Sequence, residues 1–328
     1  MHPSVFITRQ IPDEGIKLLS TKKFKLDIYQ KDQIIPRAEL LKRVKGKDAI
    51  ISLLTEQIDE EVLLAAGPRL QIVANYAVGF DNIDLSAAKK HRVTVTNTPS
   101  PELSEAVAEH AMALMLALAR HIPEADAYTR AEKYQGWSPT LFLGTDLHDK
   151  TLGIIGLGRI GQALAIRAVN GFCMKCVYTN PNPNPAFEKT FHAKRLALTD
   201  LLKVSDFVSI HVPLLPTTRH LISSKELKLM KKTAFLVNTS RGPIIDETAL
   251  LHALKSKRIA GAGLDVYECE PAIDCNIHDR LTLKKFPNTI LTPHTASATI
   301  ETRQAMSRLA AQNIIAVLTG KKPLTPAK

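Results

Sequence analysis

A glycine-rich turn between an apolar run and a helix-like run is the feature that most constrains the fold of this chain. The segment TLGIIGLGRIGQAL, residues 151–164, places glycine at positions 156, 158 and 161. This pattern also occurs by chance, but between a strand and a helix it is typical of a dinucleotide-binding unit. Gly156 would make the tight turn, Gly158 would let a pyrophosphate approach the backbone, and Gly161 would let the helix pack closely on the strand.

The helix that starts after this turn is expected to hold the pyrophosphate. Its first residues are Arg159 and Ile160, whose backbone N–H groups have no partner inside the helix. The helix start also carries a partial positive charge, which favours an anion. A strand-to-helix turn that binds nothing is the alternative interpretation.

Apolar runs alternate with helix-like runs along the chain, which predicts an α/β protein with parallel sheets. After residue 150 the strand candidates are TLGIIG, MKCVYT, DFVSIHV, TAFLVNT, IAGAGLDV and NTILTP. Six such strands are what two mononucleotide-binding halves require. In the first hundred residues SVFIT, LDIYQ, DAIISLL and LQIVANY form a second series.

Charge and composition argue against several classes of protein. Lys and Arg outnumber Asp and Glu by 43 to 32, but they are scattered, so a solvated basic surface is favoured over nucleic-acid binding. The most apolar run, residues 111–119, is far shorter than the ~18–20 residues that a bilayer requires. The N-terminus lacks the pattern of a signal peptide. We therefore predict a cytoplasmic protein with no membrane partner.

The four cysteines give a weak signal. Cys173 and Cys176 have the spacing of a redox motif, and Cys269 and Cys275 lie much further along. No cysteine pair stands at zinc-finger spacing from another. Ordinary reduced thiols are therefore predicted for Cys173 and Cys176, and no bound metal.

The strand after the glycine turn lacks the acid that dinucleotide-binding proteins usually place at its end. Thr179 and Asn180 stand there, followed by Pro181 in an Asn-Pro run. An acid would bind the adenosine ribose and repel a 2′-phosphate. No arginine occupies positions 179–187, and Lys189, Lys194 and Arg195, which lie further on, could approach only by folding back. We therefore expect NAD(P)H binding with a modest lean toward NADP(H); the alternative is that the prolines only stiffen a surface loop.

Three charged side chains follow the ends of later strand candidates. Arg241 comes after TAFLVNT, Glu270 after IAGAGLDV, and His294 after NTILTP. Ligands bind at the carboxyl ends of strands in an open parallel sheet, so these side chains are expected to share one edge. An arginine can clamp a carboxylate and polarise its carbonyl, a histidine can exchange a proton, and a carboxylate beside it orients the ring and favours its protonated form. The set suits reduction of a 2-oxo acid by a nicotinamide, although each residue alone could be structural.

Taken together, these motifs make the sequence similar to the D-isomer-specific 2-hydroxyacid dehydrogenase family over nearly its whole length. The segments AVGFDNID, GIIGLGRIGQ, NTSRGPIIDE, AGLDVYECEP and LTPHTASAT carry the resemblance, and FITRQIP and GWSPTLFLGTDL are closest to the glyoxylate/hydroxypyruvate reductase branch. The resemblance implies two Rossmann-like domains with the active site in the cleft between them. Residues 1–100 and 293–328 would form a discontinuous, flavodoxin-like substrate domain, and residues 101–292 the dinucleotide-binding domain.

The resemblance also implies a role for each site residue. Arg241 would bind the substrate carboxylate and carbonyl, His294 would be the acid–base group, Glu270 its partner, and Asp265 a contact of the nicotinamide end. The other residues implied to contact the cofactor are His211, Pro213 and Thr239. Those implied to contact the small 2-oxo acid are Leu53 and the backbone N–H groups of Val78 and Gly79. The resemblance also implies a homodimer, in which Trp137 of the neighbouring subunit reaches the substrate.

Departures from the family pattern bear on the substrate. The family commonly has PHIGSAT where this chain has PHTASAT, so Thr295 and Ala296 put the pocket in question. Val78 replaces the lysine of phosphite-oxidising relatives, and Glu270 replaces the glutamine of formate dehydrogenases, which argues against both substrates. The remaining alternatives are another D-2-hydroxyacid dehydrogenase, acting on D-3-phosphoglycerate or D-lactate, and a dinucleotide-sensing binding protein like the corepressor among the relatives.

Overall fold

The structure, a computed structural model, describes residues 2–270 and 282–327. By its internal contacts the chain divides into two compact units. The first unit comprises Met1–Leu103 and Ala298–Lys328, and the second unit comprises Ser104–Ser297.

The first unit is built on a five-stranded parallel sheet in the order β2-β1-β3-β4-β5. Its strands are β1 Ser4–Ile7, β2 Lys25–Ile28, β3 Ala49–Ser52, β4 Ile72–Asn75 and β5 Thr94–Thr96. This is the flavodoxin-like order of a doubly wound sheet. The four strands predicted from the first hundred residues are all present, and β5 is an additional one at the sheet edge.

The second unit is built on a seven-stranded parallel sheet in the order β12-β11-β10-β9-β6-β7-β8. Its strands are β6 Thr151–Ile155, β7 Lys175–Thr179, β8 Lys194–Arg195, β9 Phe207–Ile210, β10 Phe235–Asn238, β11 Gly261–Leu264 and β12 Thr289–Leu291. The six predicted strands are confirmed. The Rossmann order 3-2-1-4-5-6 is formed by β8, β7, β6, β9, β10 and β11. It therefore includes the short, exposed β8, which was not predicted, and the predicted β12 is a seventh strand at the far edge.

Helices flank both sheets among the described residues. They are α1 Asp13–Thr21, α2 Arg37–Arg43, α3 Glu60–Ala66, α4 Leu85–Lys90, α5 Pro101–Ala119, α6 Ile122–Arg130, α7 Arg159–Phe172, α8 Pro185–Phe191, α9 Leu198–Val204, α10 Ser224–Leu227, α11 Glu247–Lys255 and α12 Ile300–Leu318. Aspartates cap several of them: Asp59, Asp84 and Asp246 accept the N–H group three residues on in α3, α4 and α11. Such a cap supplies a partner to one of the free N–H groups at a helix start.

Each sheet has apolar helices on both faces. In the second sheet, successive strand residues point to opposite sides, so Ile154 joins the core with α5 and α7, whereas Ile155 joins the core with α9 and α11. The apolar run of residues 111–119 lies in α5, and Ala111 and Met115 are fully buried there. None of the helices in the described ranges is long and apolar enough to cross a membrane.

Candidate active site

The carboxyl-terminal edge of the second sheet carries most of the residues predicted to form the site. The strand order reverses between β6 and β9, and in open parallel sheets ligands bind outside the strand ends at such a switch point. The glycine-rich turn leaves the end of β6. The segments that follow β9, β10, β11 and β12 continue the same edge and contain the remaining predicted side chains.

The three glycines of the turn have the three geometries that a pyrophosphate site requires. Gly156 has a φ of 97°, a backbone conformation that residues with a side chain rarely adopt. A Cβ added to Gly156 would also lie 2.7 Å from the main-chain oxygen of His211. An added Cβ on Gly161 would lie 2.3 Å from the main-chain oxygen of Gly156, so only glycine lets the helix pack this closely. At Gly158, by contrast, no described atom lies within 4 Å of the added Cβ, and the residue faces open space.

The start of α7 leaves its backbone N–H groups available. Gly158 occupies the cap position and contributes no side-chain hydrogen bond, unlike the aspartates that cap α3, α4 and α11. The N–H groups of Arg159, Ile160 and Gly161 are therefore oriented toward the space beside Gly158, where the helix dipole favours an anion. The residues present fit the pyrophosphate of a nicotinamide dinucleotide.

Replacing Gly158 and Gly161 should separate ligand approach from folding. We expect Gly158→Val to keep the wild-type Tm, because the added side chain enters open space, but to weaken dinucleotide binding about tenfold or more, since steric overlap costs ~1–3 kcal/mol. Gly161→Ala, the matched control, should instead lower the free energy of unfolding by about 1–3 kcal/mol through its backbone clash. Calorimetric titration with NADH and thermal unfolding measure the two effects. Unchanged affinity in folded Gly158→Val would show that the ligand does not approach this backbone.

The end of β9 and the end of β10 contribute the other predicted cofactor contacts. The His211 ring lies 2.8 Å, Nε2 to Oγ, from Ser209, and burial lowers the pKa of His211 to about 4, so the ring is neutral near pH 7. Pro213 is exposed beyond it. Thr239 Oγ1 is buried and has no hydrogen-bond partner in the described part of the chain. A buried hydroxyl of this kind is expected to meet a ligand or water.

A tight turn after β10 positions Arg241. The fully buried Asn238 accepts a hydrogen bond from the Ser240 N–H at 3.0 Å and donates one to the Arg241 carbonyl at 2.9 Å. The next residue, Gly242, packs so closely that an added Cβ would lie 1.9 Å from the main chain of Tyr267. The turn that carries Arg241 is thus held directly against the segment that leads to Glu270.

His294 and Glu270 form a pair. Nδ1 of His294 lies 3.1 Å from both carboxylate oxygens of Glu270. About a quarter of the His294 side chain is exposed, so the ring remains accessible to a ligand. The backbone of His294 is in the left-handed region, with a φ of 55°, and its N–H donates to the main-chain oxygen of Asp265 at 2.9 Å.

Asp265 anchors the loop that carries His294. Its side chain is fully buried and accepts hydrogen bonds from the Thr292 hydroxyl at 2.6 Å and from the N–H groups of Thr295 and Ala296 at 2.8 Å each. Burial alone would raise the pKa of this carboxyl, but hydrogen bonds from His110, Thr292 and these two N–H groups outweigh it and bring the pKa below its ordinary value. The two residues that depart from the family pattern, Thr295 and Ala296, therefore hold this loop through their backbone.

Sequence reasoning missed several residues that support the site. His110 in α5 lies 3.0 Å, through Nε2, from the Thr292 hydroxyl and 3.5 Å from the Asp265 carboxylate. The Tyr267 hydroxyl donates to the Thr292 carbonyl at 2.9 Å. The available signal for His110 was its place directly before the apolar run of α5, and the buried Asn238 had none beyond its place at a strand end.

The substrate contacts predicted in the first unit lie at the ends of β3 and β4. Leu53 follows β3, and Val78 and Gly79 follow β4. The carbonyls of Val78 and Gly79 accept hydrogen bonds from Asn97 at 2.7 Å and from Asn75 at 2.9 Å. Their N–H groups donate to no atom of the described residues. They are therefore available for an anion.

The remaining predicted residues lie elsewhere. Trp137, after α6, is 84% exposed within the chain. Cys173 and the buried Cys176 are free thiols, as predicted. Cys269 is disulfide-bonded, and the sequence analysis did not predict this bond, because it depends on tertiary geometry that sequence spacing does not reveal. Cys275 lies outside the described residues.

The fold and the glycine turn define a dinucleotide-binding protein of the Rossmann class. A family model described as "D-isomer specific 2-hydroxyacid dehydrogenase, NAD binding domain" matches residues 112–296. The chain belongs to the D-isomer specific 2-hydroxyacid dehydrogenase family. It is therefore an oxidoreductase with a nicotinamide cofactor, as predicted.

Relatives in sequence and structure agree with this assignment. The chain is 48% identical to the glyoxylate reductase of Thermococcus litoralis, over 98% of this chain and 96% of that protein. A crystal structure of a glyoxylate reductase from Paecilomyes thermophila shares 31% identity, covers 99% of this chain and 98% of its own, and has a TM-score of 0.86. The NADPH-dependent glyoxylate/hydroxypyruvate reductase of Sinorhizobium meliloti, crystallised with NADP and malonate, shares 30% identity with a TM-score of 0.85 and covers 100% and 97% of the two chains.

Proposed function

We propose that this protein reduces glyoxylate, hydroxypyruvate or a similar small 2-oxo acid to the D-2-hydroxy acid with NAD(P)H. The His294–Glu270 pair at the edge of a nicotinamide-binding sheet carries the proposal. The 48% identity to a glyoxylate reductase, over nearly the full length of both chains, supports the substrate class.

Three side chains would perform the chemistry around the substrate carbonyl. Arg241 would bind the carboxylate through its guanidinium fork and polarise the neighbouring carbonyl. Protonated His294 would give its proton to the carbonyl oxygen. Glu270 would hold the ring through Nδ1, so that Nε2 faces the substrate. The nicotinamide, when bound, supplies the hydride.

The segments that follow β3 and β4 would also contact the substrate. The N–H groups of Val78 and Gly79 are free of partners in the described chain, while their carbonyls are fixed by two asparagines. This arrangement suits a carboxylate, because charge-assisted hydrogen bonds from backbone N–H groups are strong. Leu53 would line the pocket.

A homodimer would complete the site. The indole of Trp137 is almost entirely exposed within one chain, and a large apolar side chain in that position favours contact with a second copy. In the proposed dimer Trp137 reaches the substrate of the neighbouring subunit.

Oxidation of NADH and NADPH with a panel of 2-oxo acids tests the function. We expect turnover with glyoxylate and hydroxypyruvate, and little with pyruvate or with 3-phosphohydroxypyruvate, the 2-oxo partner of D-3-phosphoglycerate. Preferential turnover of pyruvate or of 3-phosphohydroxypyruvate would replace the proposal with a D-lactate or D-3-phosphoglycerate dehydrogenase. Tight cofactor binding without any turnover would instead favour a dinucleotide-sensing protein.

The end of β7 sets the proposed cofactor preference. Thr179 stands where an acid would bind the ribose and repel a 2′-phosphate. We expect Thr179→Asp to raise the ratio of kcat/KM for NADH to kcat/KM for NADPH by about tenfold or more, since a like charge beside the phosphate costs more than ~1.4 kcal/mol. Thr179→Asn, without a charge, is the control. A ratio that stays at the wild-type value in Thr179→Asp would remove Thr179 from the ribose site.

A further inference from the structure

The Asn-Pro segment after β7 is held in a fixed shape by its own hydrogen bonds. The Tyr178 hydroxyl accepts the N–H of Asn184 at 2.8 Å and donates to the Glu188 carboxylate at 2.5 Å. The Asn180 side chain donates to the Asn182 carbonyl at 3.0 Å. The segment is thus an ordered rim at the strand end, where a Rossmann sheet meets the adenosine ribose.

Arg195 folds back onto this rim. It is the last residue of β8, which pairs with β7 in parallel and places Arg195 in register with Tyr178. Its Nε donates to the Asn180 carbonyl at 2.9 Å, and its Nη2 donates to the Pro181 carbonyl at 2.8 Å. The guanidinium therefore lies directly against the two residues that follow Thr179.

The charge of Arg195 is not neutralised within the described residues. No carboxylate in those parts of the chain lies within 4 Å of its guanidinium, and the nearby Glu188 bonds to the Tyr178 hydroxyl instead. A guanidinium has five N–H donors, and the two carbonyls take one each, so the others are not used by the rim carbonyls. The exposed Lys194 precedes it in β8 and adds to the positive charge.

We propose that Arg195 binds the 2′-phosphate of NADP(H) and is the residue that gives the chain its affinity for the phosphorylated dinucleotide. The inference deepens the proposed function and rests on it for the identity of the cofactor. A Rossmann site that accepts NADP commonly has an arginine close to the missing acid. Here the arginine comes from the next strand, and its contacts with the carbonyls of Asn180 and Pro181 position the guanidinium before the ligand arrives.

Pre-positioning is the physical reason for choosing Arg195 over its lysine neighbours. An unheld arginine or lysine loses side-chain entropy when it binds a phosphate, whereas a guanidinium already held by two carbonyls loses little. The planar fork also matches two phosphate oxygens at once, which an ammonium group cannot do. The hydroxyl of Thr179 can donate a further hydrogen bond to the same phosphate.

Binding of adenosine nucleotides tests the proposal without any turnover. Calorimetric titrations with 2′,5′-ADP and with 5′-AMP compare a nucleotide that has the 2′-phosphate with one that lacks it. Wild type should bind 2′,5′-ADP more tightly than 5′-AMP. Arg195→Ala should lose about tenfold or more of its affinity for 2′,5′-ADP, the loss expected for a charge-assisted hydrogen bond, and less than about threefold for 5′-AMP, which lacks that bond. The affinity of Arg195→Lys for 2′,5′-ADP should lie between those of wild type and Arg195→Ala.

The control variants separate binding from bracing of the rim. If Arg195 only braced the segment, Arg195→Ala would weaken 2′,5′-ADP and 5′-AMP equally, and that result would overturn the proposal. An unchanged affinity for 2′,5′-ADP, or a wild type that does not distinguish the two nucleotides, would overturn it as well. Arg130→Ala removes an exposed arginine from α6 and should leave the affinities for both nucleotides unchanged. If Arg130→Ala also weakens the binding of 2′,5′-ADP selectively, the net charge of the protein rather than Arg195 accounts for the preference. Failure of the proposed function would appear separately, as absent turnover with every 2-oxo acid.

Discussion

Replacing His294 by alanine should lower kcat for 2-oxo acid reduction by about 10²–10⁴-fold, the range that general acid–base catalysis contributes. The ring lies in the loop after β12, held by Asp265 and paired with Glu270 through Nδ1. The substrate KM should change much less than kcat, because the proton is transferred only in the transition state. Steady-state kinetics, with cofactor binding measured by calorimetry, gives both values.

Two further variants define what the loss in His294→Ala means. His252→Ala removes an exposed histidine from α11 and should leave kcat at the wild-type value. Glu270→Gln keeps a hydrogen-bond acceptor beside Nδ1 but removes the charge, so kcat should fall less than in His294→Ala. A His294→Ala enzyme that retains kcat within a few-fold of wild type would mean that another group donates the proton.

The alternation of apolar and helical runs was sufficient to predict both sheets. Strands such as β6 and β10 are buried on both faces, and their apolar runs make them visible in the sequence. Strand β8 escaped prediction because it consists of Lys194 and Arg195, both exposed, and pairs with one neighbour only. A strand that contributes nothing to a core leaves no periodic signal, yet this one carries the arginine of the rim.

The site was predictable where residues follow strand ends and unpredictable where they meet through tertiary packing. Arg241, Glu270 and His294 could be found because the carboxyl ends of parallel strands share one edge. The contact of His110 with Thr292 and Asp265 joins residues that are 182 and 155 positions away. Nothing in the sequence of α5 indicates which strand end its histidine will reach. The fold-back of Arg195 likewise depends on the length of the Asn-Pro segment and on the pairing of β8.

Replacing Arg241 by alanine should lower kcat/KM for a 2-oxo acid by about 10²–10³-fold, because it leaves a bound carboxylate without its charged partner, a loss of ~3–4 kcal/mol. The loss in kcat/KM should appear partly as a higher KM and partly as a lower kcat. Carboxylate binding is present in ground state and transition state alike and raises KM when lost, whereas polarisation of the carbonyl grows in the transition state and lowers kcat when lost.

The turn that carries Arg241 should survive the substitution, which makes the measurement interpretable. Arg241→Ala removes the bond from the guanidinium to the Ser240 carbonyl, but Asn238 still holds this turn through the Arg241 carbonyl and the Ser240 N–H, and the contact of Gly242 with Tyr267 is unaffected. NADH affinity and Tm should therefore stay at wild-type values in Arg241→Ala. Arg241→Lys should recover part of KM but little of kcat, since an ammonium group supplies charge without the fork. Added guanidine should restore activity to Arg241→Ala. If the variant loses kcat/KM only in proportion to a fall in its Tm, Arg241 has a structural role instead.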